Sequence, residues 1–473
     1  MLTYNFEENT GPLYEFVYNC LKQDIISGVL APGEKLPSKR SFAQNNGVST
    51  ITIQNAYDQL VSEGYIYTIE KKGYYVAKLS PIIAPPRQSS VHYDIHIPGR
   101  RSYPYDFSGN QMNPANFPFS IWARLSREVI SGRRDDLMEI SQSAGVYELR
   151  KAIADHLKSF RGMLVDPDQI VVGAGTEYLY GILVQLLGHD HTYAIENPGY
   201  KKLIPIYHQY GVKPVFADID EQGLSVDGLA SSGAQIAHIC PNHHFPTGIT
   251  MPASRRYEIL AWANEQAGRY IIEDDYDSEF RYTGKPIPTL FSIDMCEKVI
   301  YMNTFSKSLT PTIRVSYMVL PAHLANKMYE KLSFLSCTVS NFEQYTLAEF
   351  MNQGYFEKHI NRMRLFYHRQ HNRVKEMLET SRLGSHCEII DNDSGLHFIV
   401  KIHTGLPDEV LAGKLEQCGV YMRAVSEYYL TPAKDEGHRF ILNYSNVDLD
   451  RFAEAMERIY DCLQEDAEKT VSQ

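Results

Sequence analysis

Residues 304–321 read "TFSKSLTPTIRVSYMVLP", with one lysine, Lys307, set between small hydroxyl residues and one arginine, Arg314, seven residues after it. The flanking runs "EKVIYMNTFS" and "VSYMVLP" are short and apolar, the pattern of buried strands. A lysine amine in such a place can form a Schiff base with an aldehyde. Thr304 and Arg314 are both in reach of a phosphate on the same ligand, and a guanidinium suits phosphate through its planar fork.

Two earlier stretches complete that chemistry. In "VVGAGTEYLYGIL" (171–183) a strand runs through Gly173 and Gly175 into a helix starting near Thr176, whose backbone N–H groups and hydroxyl form an anion site. In "YIIEDDYDSEF" (270–280) Asp274 and Tyr276 share one strand face, because side chains two apart point the same way. A carboxylate there holds a ring nitrogen protonated, and a phenol bonds the neighbouring ring oxygen. Asp275 is the second choice for the acid. Taken singly, these features have plainer readings: a tight turn, a strand-end acid, a surface lysine. Together and in chain order they point to pyridoxal 5'-phosphate.

From about residue 104 to 465, short apolar strands alternate with helix-sized intervals, which predicts βαβ units and a mostly parallel sheet, an α/β fold. No G-x-G-x-x-G follows the first strand, so a dinucleotide site is poorly supported. Residues 78–103 are proline-rich with little periodicity and read as a linker, with extended stretches around Pro85 and Pro86 and solvated charge at Arg87, Arg100 and Arg101.

Residues 1–77 form a separate unit. Leu13, Phe16, Val17, Cys20, Leu21 and Ile25 recur at helical spacing up to Gly28. Ser38 is positioned to cap a second helix ending near Asn46, and after Gly47 Ser49 is positioned to cap a third, closed by Gly64. "YIYTIEKKGYYV" then alternates about Lys71, Lys72 and Gly73 as a hairpin with a basic tip. The order is that of a winged helix-turn-helix.

At 473 residues, with 44% apolar and 22% charged residues, the chain has the composition of a multi-domain globular protein. The net charge of −11, with seven Lys/Arg against eight Asp/Glu in residues 1–80, makes any nucleic-acid binding local. No apolar run of membrane-spanning length and no basic leader is present, so the cytoplasm is the expected location and no membrane partner is expected. The seven scattered cysteines lack a C-x-x-C pair, which argues for reduced thiols and against a metal site.

"PGEKLPSKRSFAQNNGVSTITIQNAYDQLVSEGYIYTIEKKGYYV" (32–76) resembles the DNA-binding domain of the GntR regulators. That likeness implies operator DNA contacts from Ser38 and Arg40, from Ser49, Thr50, Thr52 and Gln54 of the third helix, and from Lys71, Lys72 and Gly73 of the wing; Thr50 stands where the family often has arginine. "ENPGY", "NHHFPTG", "IIEDDYDSEF" and residues 304–321 resemble the fold type I aminotransferases, and specifically the MocR regulators, in which a GntR-type winged helix is fused to such a domain over residues 104–473. The resemblance implies Lys307 as the Schiff-base lysine, Asp274 as pyridinium partner and Tyr276 near the ring hydroxyl. It also implies Tyr200 and His243 at the ring, and Gly175, Thr176, Glu177, Thr304, Ser306 and Arg314 around the cofactor. Phe245 replaces the asparagine of many aminotransferases, and Lys202 replaces an arginine of the GABA-responsive relative. A small amine or amino acid effector is implied, forming an external aldimine in place of Lys307, with its carboxylate at Arg439 or Lys202. A head-to-tail homodimer is implied as well. An active aminotransferase with an appended DNA module, and a regulator sensing the cofactor itself, are the alternative functions.

Overall fold

The computed structural model describes residues 2–5, 11–79, 95, 96, 99, 102–109, 112–282, 287–391, 395–430 and 437–471. The positions named above in the linker (Pro85, Pro86, Arg87, Arg100, Arg101) lie outside them. The chain divides into two compact units, Met1–Gly99 and Arg100–Gln473.

In the first unit, helix α1 (Leu13–Ser27) buries Val17, Tyr18, Leu21 and Ile25, and Gly28 ends it at φ 80°, a conformation that glycine adopts without penalty. The hydroxyls of Ser38 and Ser49 accept from the backbone N–H of Ser41 and Thr52, starting helices α2 (Lys39–Asn46) and α3 (Thr50–Ser62). Strands β1 (Ile66–Ile69) and β2 (Gly73–Val76) pair antiparallel as the wing, with Ile66 opposite Val76. Phe42, Ile53, Tyr57, Leu60, Ile66 and Val76 close one core over all five elements. Burying each of these side chains contributes about 1.5–3 kcal/mol.

The second unit opens with β3 (Tyr105–Asp106), then helices α4 (Phe119–Gly132), α5 (Arg134–Met138) and α6 (Tyr147–Arg161). An eight-stranded sheet follows, built from β4 (Ile170–Gly173), β5 (Tyr193–Asn197), β6 (Val215–Asp220), β7 (Gly223–Leu224), β8 (Ile236–Ile239), β9 (Tyr270–Asp274), β10 (Val299–Thr304) and β11 (Ser316–Val319). Its order is β4-β11-β10-β9-β8-β5-β6-β7. The β10–β9–β8–β5–β6 stretch is parallel, and β11 runs antiparallel to both neighbours. Strands covered on both faces can be apolar without alternation, as "IVVG" is and as "IAHI" is but for His238, each buried at every position.

A smaller antiparallel sheet of β12 (Cys387–Ile390), β13 (His397–Ile402), β15 (Arg423–Ala424) and β16 (Arg439–Asn443) is ordered β12-β13-β16-β15, while β14 (Val420–Tyr421) pairs with β3. In an open parallel sheet the carboxyl ends of the strands leave a crevice, and that is where polar residues interrupt the apolar runs here.

Candidate functional site

Five strands of the large sheet deliver their carboxyl ends to one cavity of about 560 Å3. From β4 the chain turns at Gly175, φ 95°, into helix α7 (Thr176–Leu187). A Cβ at Gly175 would collide with the Arg314 guanidinium, so glycine is required both for the turn and for the arginine beside it. Arg314 itself holds φ 52°, rare for a non-glycine residue, and its Nη2 donates to Glu177 Oε2 at 2.5 Å. A backbone held in so sparsely populated a region, against the helix start, marks a place where surrounding structure fixes a cation. Thr176, Glu177, Thr304, Ser306, Lys307 and Arg314 all line the cavity. The Thr304 hydroxyl accepts from Ser306 N and Ser316 Oγ, so it caps the turn that carries Lys307.

The neighbouring strands supply the other wall. Asp274 Oδ2 accepts from Tyr180 at 2.6 Å, while its Oδ1 is buried without a hydrogen-bond partner among the described residues. Asp275, one residue on, has both oxygens occupied: Asn242 donates to Oδ1, and Arg161, Tyr301 and Ser278 donate to Oδ2, each at 2.7 Å. Of the two acids, Asp274 has the free oxygen and the cavity face, and Asp275 locks β9 to its surroundings. Tyr276 donates to the backbone oxygen of His243 at 2.9 Å, and its ring lies 5.7 Å from the Lys307 amine. Burial pushes the Lys307 pKa down to about 8; Lys202 adds to this, and Asp277 and Asp274 oppose it. Tyr200 lines the cavity beyond "ENPGY" with its ring edge-on to Phe245.

Two expectations differ from the observed placement. His243 stands one layer behind the cavity, bonded to Asp277 Oδ2 at 2.9 Å and packed on His397, which itself lines the cavity. Arg439 does not line it: the residue starts β16, about 7 Å along the strand before Ile441, the first β16 residue on the cavity wall. Arg423 reaches the wall instead, because the β15–β16 register sets it directly opposite Ile441.

In the first unit Ser38, Arg40, Lys72 and Gly73 line a groove between the start of α2 and the wing, together with Lys35 and Lys39. Lys71 sits at the wing tip with φ 60° and is not on the groove wall. Ser49, Thr50 and Gln54 are exposed on the first turns of α3, and Thr52 is half-buried with its hydroxyl 2.7 Å from that of Ser49.

Residues 13–76 match the model of the bacterial regulatory proteins of the gntR family, and residues 106–459 match that of aminotransferase class I and II. The probable rhizopine catabolism regulatory protein MocR of Rhizobium meliloti is 30% identical, covering 92% of this chain and 91% of that one. The chain belongs to the MocR subfamily of GntR regulators. The pyridoxine biosynthesis transcriptional regulator PdxR of Corynebacterium glutamicum is 28% identical over 94% of both chains. Among solved structures, the multiple substrate aminotransferase of Thermococcus profundus shares the fold of the second unit, with a TM-score of 0.68 and 24% identity over 77% of this chain and 92% of that one.

As in a MocR chain, then, a transcription-factor unit and an aminotransferase-like unit occur together, and the cavity of the latter fits pyridoxal 5'-phosphate. The orphaned Asp274 oxygen would accept from a protonated ring nitrogen, the α7 start with Arg314 would donate to the phosphate, and Lys307 would be the amine for the aldehyde. Within this MocR-type regulator several wall residues escaped sequence reasoning. Tyr180 carried a signal, four residues after Thr176 on the same helix and therefore on the same face. Asp277 lay inside the quoted stretch, one residue after Tyr276, whereas His397, Arg423, Tyr428 and Asn443 carried no signal, since separate elements bring them in. No helix among the described residues is long and apolar enough to cross a membrane, and no cluster of His, Cys, Asp or Glu among them is placed to hold a metal.

Proposed function

We propose that this regulator binds operator DNA through the groove and α3 of its first unit, and that its second unit, loaded with pyridoxal 5'-phosphate on Lys307, senses a small primary amine or amino acid. The observation that carries the reading is Lys307, with its pKa lowered to about 8, in one cavity with an unpartnered Asp274 oxygen, in a chain that also folds a DNA reader. Bound there, the cofactor supplies an aldehyde carbon that an incoming amine can take over from lysine. The chain's own residues do the remainder. Lys307 offers an amine of which a fraction is unprotonated near neutral pH, Asp274 holds the ring nitrogen's proton, and Arg314 with the α7 start holds the phosphate. Lys202 is a point charge for the ligand's carboxylate, and Arg439 is a second candidate that must reach in from the end of β16. Occupancy then biases DNA affinity through its unequal free energy in two conformations. A head-to-tail homodimer suits two half-sites of the operator.

The test is operator binding by cofactor-loaded protein across an amine panel, with keto acid production followed in the same tubes. A change in DNA affinity with little or no keto acid is the expected result. Sustained turnover of about 1–10 per second or more favours the enzyme reading instead. The likeness to PdxR favours one further reading, in which the cofactor is itself the signal; DNA affinity that differs between apo and loaded protein and ignores every amine selects it.

A further inference from the structure

We propose that Arg423 is a specificity residue that selects, within the amine class put forward above, amino acids bearing a second acidic group away from the amine. The inference rests on that reading and adds the ligand's charge pattern. The charged side chains on the cavity wall are Lys201, Lys202, Lys307, Arg314 and Arg423 against Glu177, Asp274 and Asp277. Glu177 is taken by Arg314, Asp277 by His243, and Asp274 by the Tyr180 hydroxyl on one oxygen. Among the described residues Lys202 and Arg423 join no direct ion pair, although Glu177 stands near enough to Lys202, and Glu427 to Arg423, to act electrostatically.

An exposed arginine on a cleft is ordinarily a solvated charge. Arg423 is more constrained than that. It sits on a two-residue strand whose register with β16 aims it from the same face as Ile441 and, one pleat further on, Asn443. Its Nε donates to the Tyr421 hydroxyl at 3.2 Å and its guanidinium stands 5.7 Å from that ring's centre. The fork is thereby pre-oriented, which lowers the ordering cost of a bidentate carboxylate contact.

The two cations also sit on different walls: Lys202 follows the carboxyl end of β5 in the large sheet, the sheet whose β10 leads into Lys307, whereas Arg423 is on β15 of the small sheet. With the ligand's nitrogen at Lys307, its nearer carboxylate falls to Lys202, and the guanidinium on the other wall remains for a second acid. Arg314 is committed to the phosphate end. An amino dicarboxylate satisfies both cations; a monocarboxylate leaves one of them facing the ligand's apolar end.

The experiment titrates cofactor-loaded full-length protein with L-glutamate and its neutral isostere L-glutamine, with L-aspartate and L-2-aminoadipate bracketing the length, and reads the shift of the cofactor absorbance band. At least one dicarboxylate is expected to bind roughly tenfold or more tighter than L-glutamine, the gain of a charge-assisted contact. Arg423→Gln should cut that preference to about twofold, while the cofactor absorbance band in the absence of any amine stays as in the unmodified protein, which shows that the cofactor end of the cavity is intact. Arg423→Lys should restore part of it, and Arg423→Glu should turn the preference towards L-ornithine. No acid preference in the unmodified protein, or one that survives Arg423→Gln, overturns the assignment while leaving the amine-sensor reading standing. If no amine of any charge shifts the band, the sensor reading fails and this inference fails with it.

Discussion

Lys307 owes its chemistry to its surroundings. Burial lowers its pKa from 10.5 to about 8, so its amine is freed about two pH units earlier than an ordinary lysine's. The unprotonated amine is the attacking species, so the rate at which apo protein takes up pyridoxal phosphate should rise with pH through a midpoint near 8; stopped-flow growth of the absorbance band measures it, and a rate still climbing in proportion to hydroxide past pH 9.5 contradicts it. Borohydride should fix the cofactor at Lys307, and Lys307→Ala should abolish that trapping. In the first unit Arg40 and Lys72 share a groove wall that Lys71 does not. Arg40→Ala should weaken binding to the cognate site by about 1–3 kcal/mol if it reads a base. Lys72→Ala should reduce the salt slope of binding by about one unit, and Lys71→Ala by less, measured by fluorescence anisotropy between 50 and 200 mM salt. Equal effects of the two lysines would separate the wing's function from the groove seen here.

At the level of the element, strand β5 ends in "ENPGY" with Glu196 fully enclosed. Its Oε2 accepts from Cys240 N at 2.9 Å, its Oε1 has no hydrogen-bond partner among the described residues, and burial raises its pKa to about 8. In the folded chain Glu196 keeps its proton to about pH 8, whereas in the unfolded chain it loses it near 4.5. Between those values the native state binds more protons, so stability falls as pH rises, at up to about 1.4 kcal/mol per pH unit from this one group. Glu196→Gln removes the titration and retains the acceptor. The variant's melting temperature relative to the parent should therefore climb steadily from pH 5 to pH 8; a difference independent of pH would mean that the acid is ionised in the fold. The α3 start follows the same logic of local satisfaction, since Ser49 serves the helix N–H groups and the Thr52 hydroxyl at once, leaving Thr50 and Gln54 as the exposed polar groups of that turn.

On the scale of the whole molecule, coupling between amine and operator is reciprocal. If an amine changes DNA affinity by some factor, saturating operator must change the amine's affinity by the same factor. Titrating the cofactor band with and without operator checks this directly, and unequal factors at equilibrium would mean that the amine acts somewhere other than this cavity. A dimer holding two half-sites further predicts that deleting one half-site costs about 10²–10⁴ in affinity, since the second contact is made at high effective concentration. Mobility shift against full and half operators measures that loss, and equal affinity for both would point to a monomeric reader.

Signals that depend on near neighbours in the chain were legible in the sequence. The helical period before Gly28, the caps at Ser38 and Ser49, the apolar runs of the parallel sheet, and the glycine turn into Thr176 are each set by a few consecutive residues, and the folded chain has an element at each. The sequence ranks Asp274 ahead of Asp275 by the strand face it shares with Tyr276, but what occupies Asp275 is set by the fold: Asn242, Arg161, Tyr301 and Ser278 surround its carboxylate, partners up to 114 residues away. The arginine on the cavity wall is Arg423 rather than Arg439 for a similar reason. Arg439 shares a strand face with Ile441 but lies two residues short of the cavity along β16, whereas the β15–β16 pairing brings Arg423 level with Ile441, and no local pattern in the chain encodes that pairing. Sequence determined which chemistry the chain possesses; the tertiary pairing of distant strands decided which of its acids and cations remain free to use it.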